Sequence, residues 1–78
     1  MLKTISMDMR GLRKKAGISP EEAAFKLRVA VSTIRNWESG KTEPSLGVSR
    51  ISELLALYQC SFEELEEGVR SSKLKSDS

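Results

Sequence analysis

Residues 31–38 combine short polar side chains with one cation in a pattern that suits contact with DNA bases. Ile34 and Trp37 lie one turn apart, so a helix over Val31–Glu38 would bury them and turn its other face outward. The outward side chains would be Val31, Ser32, Arg35 and Asn36. Short polar groups and an arginine at the start of a helix can reach base edges. The segment therefore predicts a reading helix, although short amphipathic helices are also common in ordinary helical bundles.

The residue types that the chain lacks exclude most catalytic and metal chemistry. The sequence has no histidine and one cysteine, Cys60. Zinc fingers, haem ligation, Ser-His-Asp or Cys-His catalysis and an intramolecular disulfide are thereby excluded. No carboxylate pair is clustered for acid–base work. We expect no enzyme, no metal site and no cofactor, and one cysteine fits a reducing compartment.

Length and composition favour one small helical domain. The chain has 78 residues, of which 38% are hydrophobic and 5% aromatic. Residues 1–6 lack the apolar stretch of about 7–15 residues that marks a signal peptide. No apolar run approaches the ~20 residues of a membrane span. The expectation is a soluble, cytoplasmic protein.

The two halves of the chain carry opposite charge. Residues 1–41 hold nine Lys/Arg and four Asp/Glu, a net charge of +5, whereas residues 42–78 hold four and seven, a net charge of −3. A basic half joined to an acidic half is consistent with one face for a polyanion and another that stays clear of it. Ordinary solvated surface explains the same charges equally well.

Glycine, proline and serine divide the chain into five stretches of helical periodicity. The predicted helices run from about Ser6 to Ala16, Ser19 to Leu27, Val31 to Glu38, Val48 to Tyr58 and Ser61 to Arg70. Capping boxes at Ser19 and Ser61 mark two starts, and Gly17 and Gly40 mark two ends. The tail after Arg70 has nothing to bury. The predicted domain is therefore residues 1–70, with a disordered tail over 71–78.

The apolar faces of these helices predict one core. The inward residues are expected to be Met9, Leu12, Ala23, Ala24, Leu27, Val29, Ile34, Trp37, Ile51, Leu54, Leu55, Tyr58, Phe62, Leu65 and Val69. Only a few residues join the second helix to the third, so these two short helices must cross steeply. That is helix-turn-helix geometry, in which the second helix of the pair can enter a major groove. The predicted fold is all-α.

Several segments together resemble the Cro/phage-repressor-type (XRE-like) helix-turn-helix family. They are Leu12-Arg13, Gly17-Ile18-Ser19, the segment 21–27 (Glu-Glu-Ala-Ala-Phe-Lys-Leu), the segment 32–41 (Ser-Thr-Ile-Arg-Asn-Trp-Glu-Ser-Gly-Lys) and Pro44-Ser45. The resemblance spans about Met9 to Leu65. It implies a five-helix lambda-repressor-like domain that binds duplex DNA sequence-specifically, usually as a dimer on a palindromic operator.

Residue by residue, the resemblance also implies roles. Base-contacting positions fall on Val31, Ser32, Arg35 and Asn36, and positions that contact the DNA backbone fall on Ser19, Thr33, Ser39, Lys41 and Thr42. Arg13 and Glu38 match a family pair that ties the first helix to the end of the reading helix. Arg35 is the best candidate for a bidentate guanine contact, whereas Val31 can only touch a thymine methyl.

Three residues depart from the family pattern. Pro20 stands where the family has a phosphate-holding Gln, Arg28 where it has the turn Gly, and Ala30 where it has a Ser/Thr cap. The loss of that cap costs about 1 kcal/mol. These departures mean that sequence preference cannot be copied from a relative.

The favoured function is a transcription regulator, with repression favoured over activation, encoded by a prokaryote or phage. The alternative is an antitoxin or protein-interaction module that also autoregulates its promoter, with a partner on the fourth and fifth helices. We interpret Ile34 and Trp37 as core, Cys60 as a small packed residue or a redox sensor, and the acids after Ser61 as a solvated face or a partner contact. Phe25 is expected either to fold onto a neighbouring helix or to join a protein contact.

Overall fold

Five helices and no strand make up the part of the chain that the structure describes. The computed structural model describes residues 7–76, with only the backbone for residues 75 and 76. The helices are α1 (Met9–Lys15), α2 (Pro20–Leu27), α3 (Val31–Ser39), α4 (Val48–Tyr58) and α5 (Phe62–Ser76). The predicted all-α, five-helix order is confirmed. Ser6, the predicted start of the first helix, lies outside the described residues.

Side-chain caps fix three of the helix starts. Asp8 accepts from the Gly11 amide at 2.8 Å and begins α1. Ser19 accepts from the Glu22 amide at 3.0 Å and begins α2, with Pro20 at the first helical position. At Ser61 both bonds of the capping box form, since its hydroxyl accepts from the Glu64 amide and its own amide donates to the Glu64 carboxylate. The Ser61 hydrogen bond holds the pKa of Glu64 below its usual value.

The core lies where all five helices meet. Its buried members are Met9, Leu12, Ala23, Ala24, Leu27, Ile34, Trp37, Leu54, Tyr58 and Leu65. The helix α2 packs on α3, and α5 packs on both α1 and α3. Burial raises the pKa of Tyr58, so this phenol stays neutral. Because α2 and α5 both pack on it, α3 is held from two sides.

The helix α5 is longer than predicted, and the prediction of a disordered tail from Ser71 is wrong for residues 71–76. These residues continue the helix. Ser72 is fully buried, and its hydroxyl accepts a 3.0 Å hydrogen bond from the Met9 amide. A Cβ on Gly68 would lie 2.7 Å from Cδ1 of Leu12, so a larger residue here would require the Leu12 side chain to shift. Residues 77 and 78 lie outside the described part.

Phe62 and Phe25 are both exposed, although the sequence analysis allowed a buried position for each. Phe62 was expected in the core but is 55% exposed, because it is the first residue of α5 and only Leu65, one turn later, reaches the core. Phe25 does not fold onto a neighbouring helix and is 83% exposed. Both leave apolar surface in water, which is notable in so small a domain.

Cys60 is half-buried beside the turn between α4 and α5. Burial raises the pKa of its thiol, so the thiolate fraction at neutral pH is smaller than for a free cysteine. That environment favours the packed residue over the redox sensor. None of the described helices is long and apolar enough to cross a membrane.

Candidate nucleic-acid interface

A tight turn of three residues joins α2 to α3. Arg28 adopts the left-handed conformation (φ 58°, ψ 46°), and its amide and that of Val29 bond back to carbonyls of α2. Arg28, which stands where the resemblance implies a turn glycine, therefore adopts the left-handed conformation that favours glycine, at a cost of about 1 kcal/mol or more. Ala30 precedes α3 without any side-chain cap.

Two side chains of α4 hold this turn, and sequence reasoning missed both. The Arg50 guanidinium donates to the carbonyl of Leu27 at the end of α2, where a cation is favourable. Glu53 pairs with Arg28 at 3.4 Å. Arg50 and Glu53 lie one turn apart on α4, and this spacing could have indicated that both contact the same neighbouring segment. Nothing local in the sequence, however, connects them to residues 27 and 28.

The outer face of α3 carries polar residues and one cation. At about 100° per residue, Ser32, Arg35 and Ser39 lie within one narrow sector, opposite the buried Ile34 and Trp37. All three are exposed, and Asn36 borders them half-buried. The structure thus brings Ser32, Arg35 and Asn36 together on one surface, as the reading-helix prediction requires.

Besides Asn36, two more members of the predicted set are only partly exposed. Val31 was expected to face outward, but it is half-buried and packs against the core. Thr33 is also half-buried, and its amide bonds to Ala30 at 2.9 Å. Their position on the flanks of α3 leaves only part of each side chain available to a ligand.

The chain after α3 turns back over the end of that helix. Gly40 ends α3 with φ 82°, and the amides of Lys41 and Thr42 both bond to the Asn36 carbonyl, at 3.0 and 3.3 Å. Lys41 and Thr42 are exposed, as is Ser39, whose hydroxyl bonds to that same carbonyl at 3.2 Å. Ser39, Lys41 and Thr42 are therefore all held at the end of α3 by hydrogen bonds to the Asn36 carbonyl. Ser19 is exposed at the start of α2, on a separate element.

Arg13 and Glu38 form a nearly buried pair beneath this surface. The Arg13 fork contacts both Glu38 oxygens, at 2.5 Å from Nε and 3.2 Å from Nη2. Its Nη1 also donates to the Ile18 carbonyl at 2.9 Å. The hydrogen bond with Glu38 raises the pKa of Arg13. One guanidinium thus connects α1, the loop before α2 and the last turn of α3, which fixes the direction of α3.

Arg35 is held by an acidic residue that sequence reasoning assigned no role. Its Nη2 lies 3.2 Å from Oε2 of Glu21 on α2, and both side chains are more than half exposed. This is the one side-chain hydrogen bond and ion pair that Arg35 makes with the described residues. The remaining donors of its fork stay available to a ligand, and the guanidinium is drawn toward α2 in the free protein.

We expect Glu21→Gln to strengthen binding to random-sequence duplex DNA by about 2–5-fold, because it removes an acidic group from a surface that we expect to face the phosphates. Folding stability is expected to change by less than about 1 kcal/mol, since the pair with Arg35 is exposed. Fluorescence anisotropy at fixed salt measures the affinity, and Glu22→Gln is the matched control on the same helix. Equal affinities of Glu21→Gln and the parent chain would contradict a DNA-facing position for Glu21.

Within residues 7–76, no group of three His, Cys, Asp or Glu could hold a metal ion. The predicted site residues instead divide between the exposed face of α3, the loop that follows it and the start of α2. These surfaces carry hydroxyls, amides and cations, which can contact the phosphates and the base edges of a nucleic acid.

The comparison with protein families gives one finding. A family model described as helix-turn-helix, of the Cro/phage-repressor type, matches residues 9–65 and hence most of the chain. No curated protein and no solved structure matches the chain significantly. The matched range includes α1 to α4, the turn at Arg28 and the Arg13–Glu38 pair. The chain therefore belongs to the Cro/phage-repressor-type (XRE) helix-turn-helix family, whose members are DNA-binding transcription regulators.

Proposed function

We propose that this protein represses transcription by binding a palindromic duplex operator as a homodimer, with α3 in the major groove of each half-site. The observation that carries the proposal is the face of α3 that exposes Ser32 and Arg35, with the half-buried Asn36 beside them, opposite a fully buried Ile34. A helix anchored on one side and polar on the other can be inserted without exposing its core. The proposed setting is the cytoplasm of a prokaryote.

The proposed contacts divide into positioning and reading. Ser19, Thr33, Ser39, Lys41 and Thr42 contact sugar and phosphate groups and set the register of the domain on the duplex. Arg35 reads a guanine through the free donors of its fork, while Ser32 and Asn36 read neighbouring bases. Val31 contributes a thymine-methyl contact through its exposed part.

Pairing of two domains is part of the proposal because one short helix covers only half of a typical operator. A two-fold dimer places two reading helices on half-sites about one helical turn of DNA apart, near 34–36 Å. A palindromic operator then mirrors the symmetry of the protein. Binding by a dimer also combines the sequence preferences of two copies, so the full operator is distinguished from other DNA more strongly than a single half-site is.

Selection of bound sequences from random duplex DNA, at a stated salt concentration, tests the function directly. We expect enrichment of an inverted repeat and protection of both halves in footprinting. Enrichment of no sequence, with only salt-sensitive binding to all duplexes, would contradict sequence-specific regulation. Repression is then measured with the selected site placed between a promoter and a reporter gene.

The exposed Phe25 and Val48 favour a second candidate, a module that binds a protein partner and autoregulates its own promoter. Both side chains are more than 80% exposed, on α2 and at the start of α4. A Phe25→Ser/Val48→Ser variant separates the two. Unchanged operator binding together with loss of a co-purified second chain would support the partner-binding module.

A further inference from the structure

An acidic side chain of α2 lies against the one cation of α3. Glu21 is on the first turn of α2 and pairs with Arg35, which follows the fully buried Ile34 on α3. Oε2 of Glu21 and Nη2 of Arg35 are 3.2 Å apart. The two residues are 14 positions apart in the sequence. The steep crossing of α2 and α3 therefore creates this contact, and neither helix could form it alone.

The backbone is held in place on both sides of the contact. On α2, the Ser19 hydroxyl caps the first turn through the Glu22 amide at 3.0 Å. On α3, Ile34 is fully buried and anchors the helix from the opposite face. The separation of the two helices is thus fixed, and only the side chains of Glu21 and Arg35 are left to adjust.

The acid nearest to Arg35 along α3 is occupied by another partner. Glu38 is the one acidic residue of α3, and both of its carboxylate oxygens accept from Arg13, at 2.5 and 3.2 Å. Among the residues that the structure describes, Glu21 is the acid that pairs with Arg35. The restraint on this guanidinium therefore comes from α2.

This pair affects contact with phosphates and contact with base edges differently. Glu21 offsets the charge of Arg35, and charge attraction to phosphates is what drives binding to any duplex. A guanine edge is instead recognised by two directed hydrogen bonds. A guanidinium has enough N–H donors to keep its bond to Glu21 and to form both of these. Glu21 therefore weakens binding to random-sequence DNA more than binding to DNA that presents a guanine to Arg35.

We propose that Glu21 is a specificity-determining residue of the DNA site, which positions Arg35 for a guanine and withholds it from phosphates. The inference rests on the proposed function for the duplex and goes beyond it by assigning discrimination to a residue of α2. Glu21 is a positioning residue, because it acts through Arg35 and contacts no base itself. Once Glu21 is removed, Arg35 rotates freely and pairs with phosphates of any sequence.

Anisotropy titrations of Glu21→Gln against the selected operator and a random-sequence duplex, at one stated salt concentration, test this role. We expect the variant to bind the random duplex about 2–5-fold more tightly and the operator no more tightly than the parent chain does. The ratio of the two affinities then falls by about 2–5-fold. In single-base variants of the operator, the lost preference is expected at the base pair whose preference Arg35→Ala also relaxes.

The Arg35→Ala background separates positioning from simple charge repulsion. Without the guanidinium, Glu21 can only repel phosphates, so Glu21→Gln is expected to strengthen binding to both duplexes equally and to leave their ratio within about 1.5-fold. Glu22→Gln removes the same charge from the same turn and is expected to keep the ratio of the parent chain. Circular dichroism and Tm check that every variant is folded like the parent chain.

The parent chain and the variants reveal different failures. Selection of no sequence by the parent chain would contradict the proposed function and, with it, any role of Glu21 in discrimination. A parent chain that prefers its operator, together with an unchanged ratio in Glu21→Gln, would overturn the role of Glu21 and leave the proposed function standing. An equal fall of the ratio in the Arg35→Ala background would also overturn it, because Glu21 would then act without Arg35.

Discussion

Replacing Glu38 by glutamine is expected to destabilise the fold by about 3 kcal/mol, because it leaves the Arg13 charge nearly buried without its counter-charge. The two side chains are 8% and 12% exposed, so water replaces little of the lost interaction. A domain of 78 residues has a total stability of about 4–12 kcal/mol. The substitution therefore removes a large share of it.

Urea unfolding followed by circular dichroism measures this loss, which corresponds to a drop of about 12–24 °C in Tm for a domain of this size. Glu22→Gln is the matched control, since the same change at an exposed site costs less than about 1 kcal/mol. The double variant Arg13→Met/Glu38→Leu is expected to be more stable than Glu38→Gln, because it buries no unpaired charge. Equal stabilities of Glu38→Gln and the control would show that the pair contributes nothing.

Replacing Arg35 by alanine is expected to weaken binding to the selected operator by about 1–3 kcal/mol, or roughly 5–150-fold, and to relax preference at one base pair of each half-site. The physical reason is the loss of a bidentate donor that no neighbouring side chain on the outer face of α3 can replace. Folding stability is expected to stay within about 1 kcal/mol, since Arg35 is exposed and its pair with Glu21 is a surface pair.

Arg10→Ala provides the comparison for Arg35→Ala, because it removes the same charge from an exposed position on α1. We expect it to weaken binding to the operator and to random-sequence duplexes to the same modest extent, with no change in base preference. Anisotropy titrations against the selected site and single-base variants of it distinguish the two patterns. Uniform weakening by Arg35→Ala, with the base preference intact, would remove Arg35 from the reading set.

The helices that carry strong local signals were predictable from the sequence. Clear periodicity coincides with caps at Ser19 and Ser61 and with Pro20 at the first helical position. In α3 it rests on Ile34 and Trp37, which lie one turn apart. The helix α4 has its predicted bounds. The outer face of α3 followed from the same periodicity. Local chemistry and tertiary structure agree in these places.

The features that sequence reasoning missed depend on contacts between distant residues. The extension of α5 is stabilised by Gly68 against Leu12 and by Ser72 on the Met9 amide, and small or polar residues give no hydrophobic periodicity. The left-handed Arg28 is supported by Arg50 of α4, more than twenty residues later. The pairing of Glu21 with Arg35 likewise requires the crossing of α2 over α3.

The hydrogen bond between the Met9 amide and Ser72 joins residues that are 63 positions apart in a chain of 78. During synthesis, α1 leaves the ribosome long before the residues that complete its first turn exist. The apolar side of α1 therefore stays uncovered until α5 has been synthesised. The same helix carries Arg13, so the orientation of α3 is set only after α5 has emerged. Nascent fragments that stop before residue 68 are accordingly expected to lack a fixed DNA-reading surface.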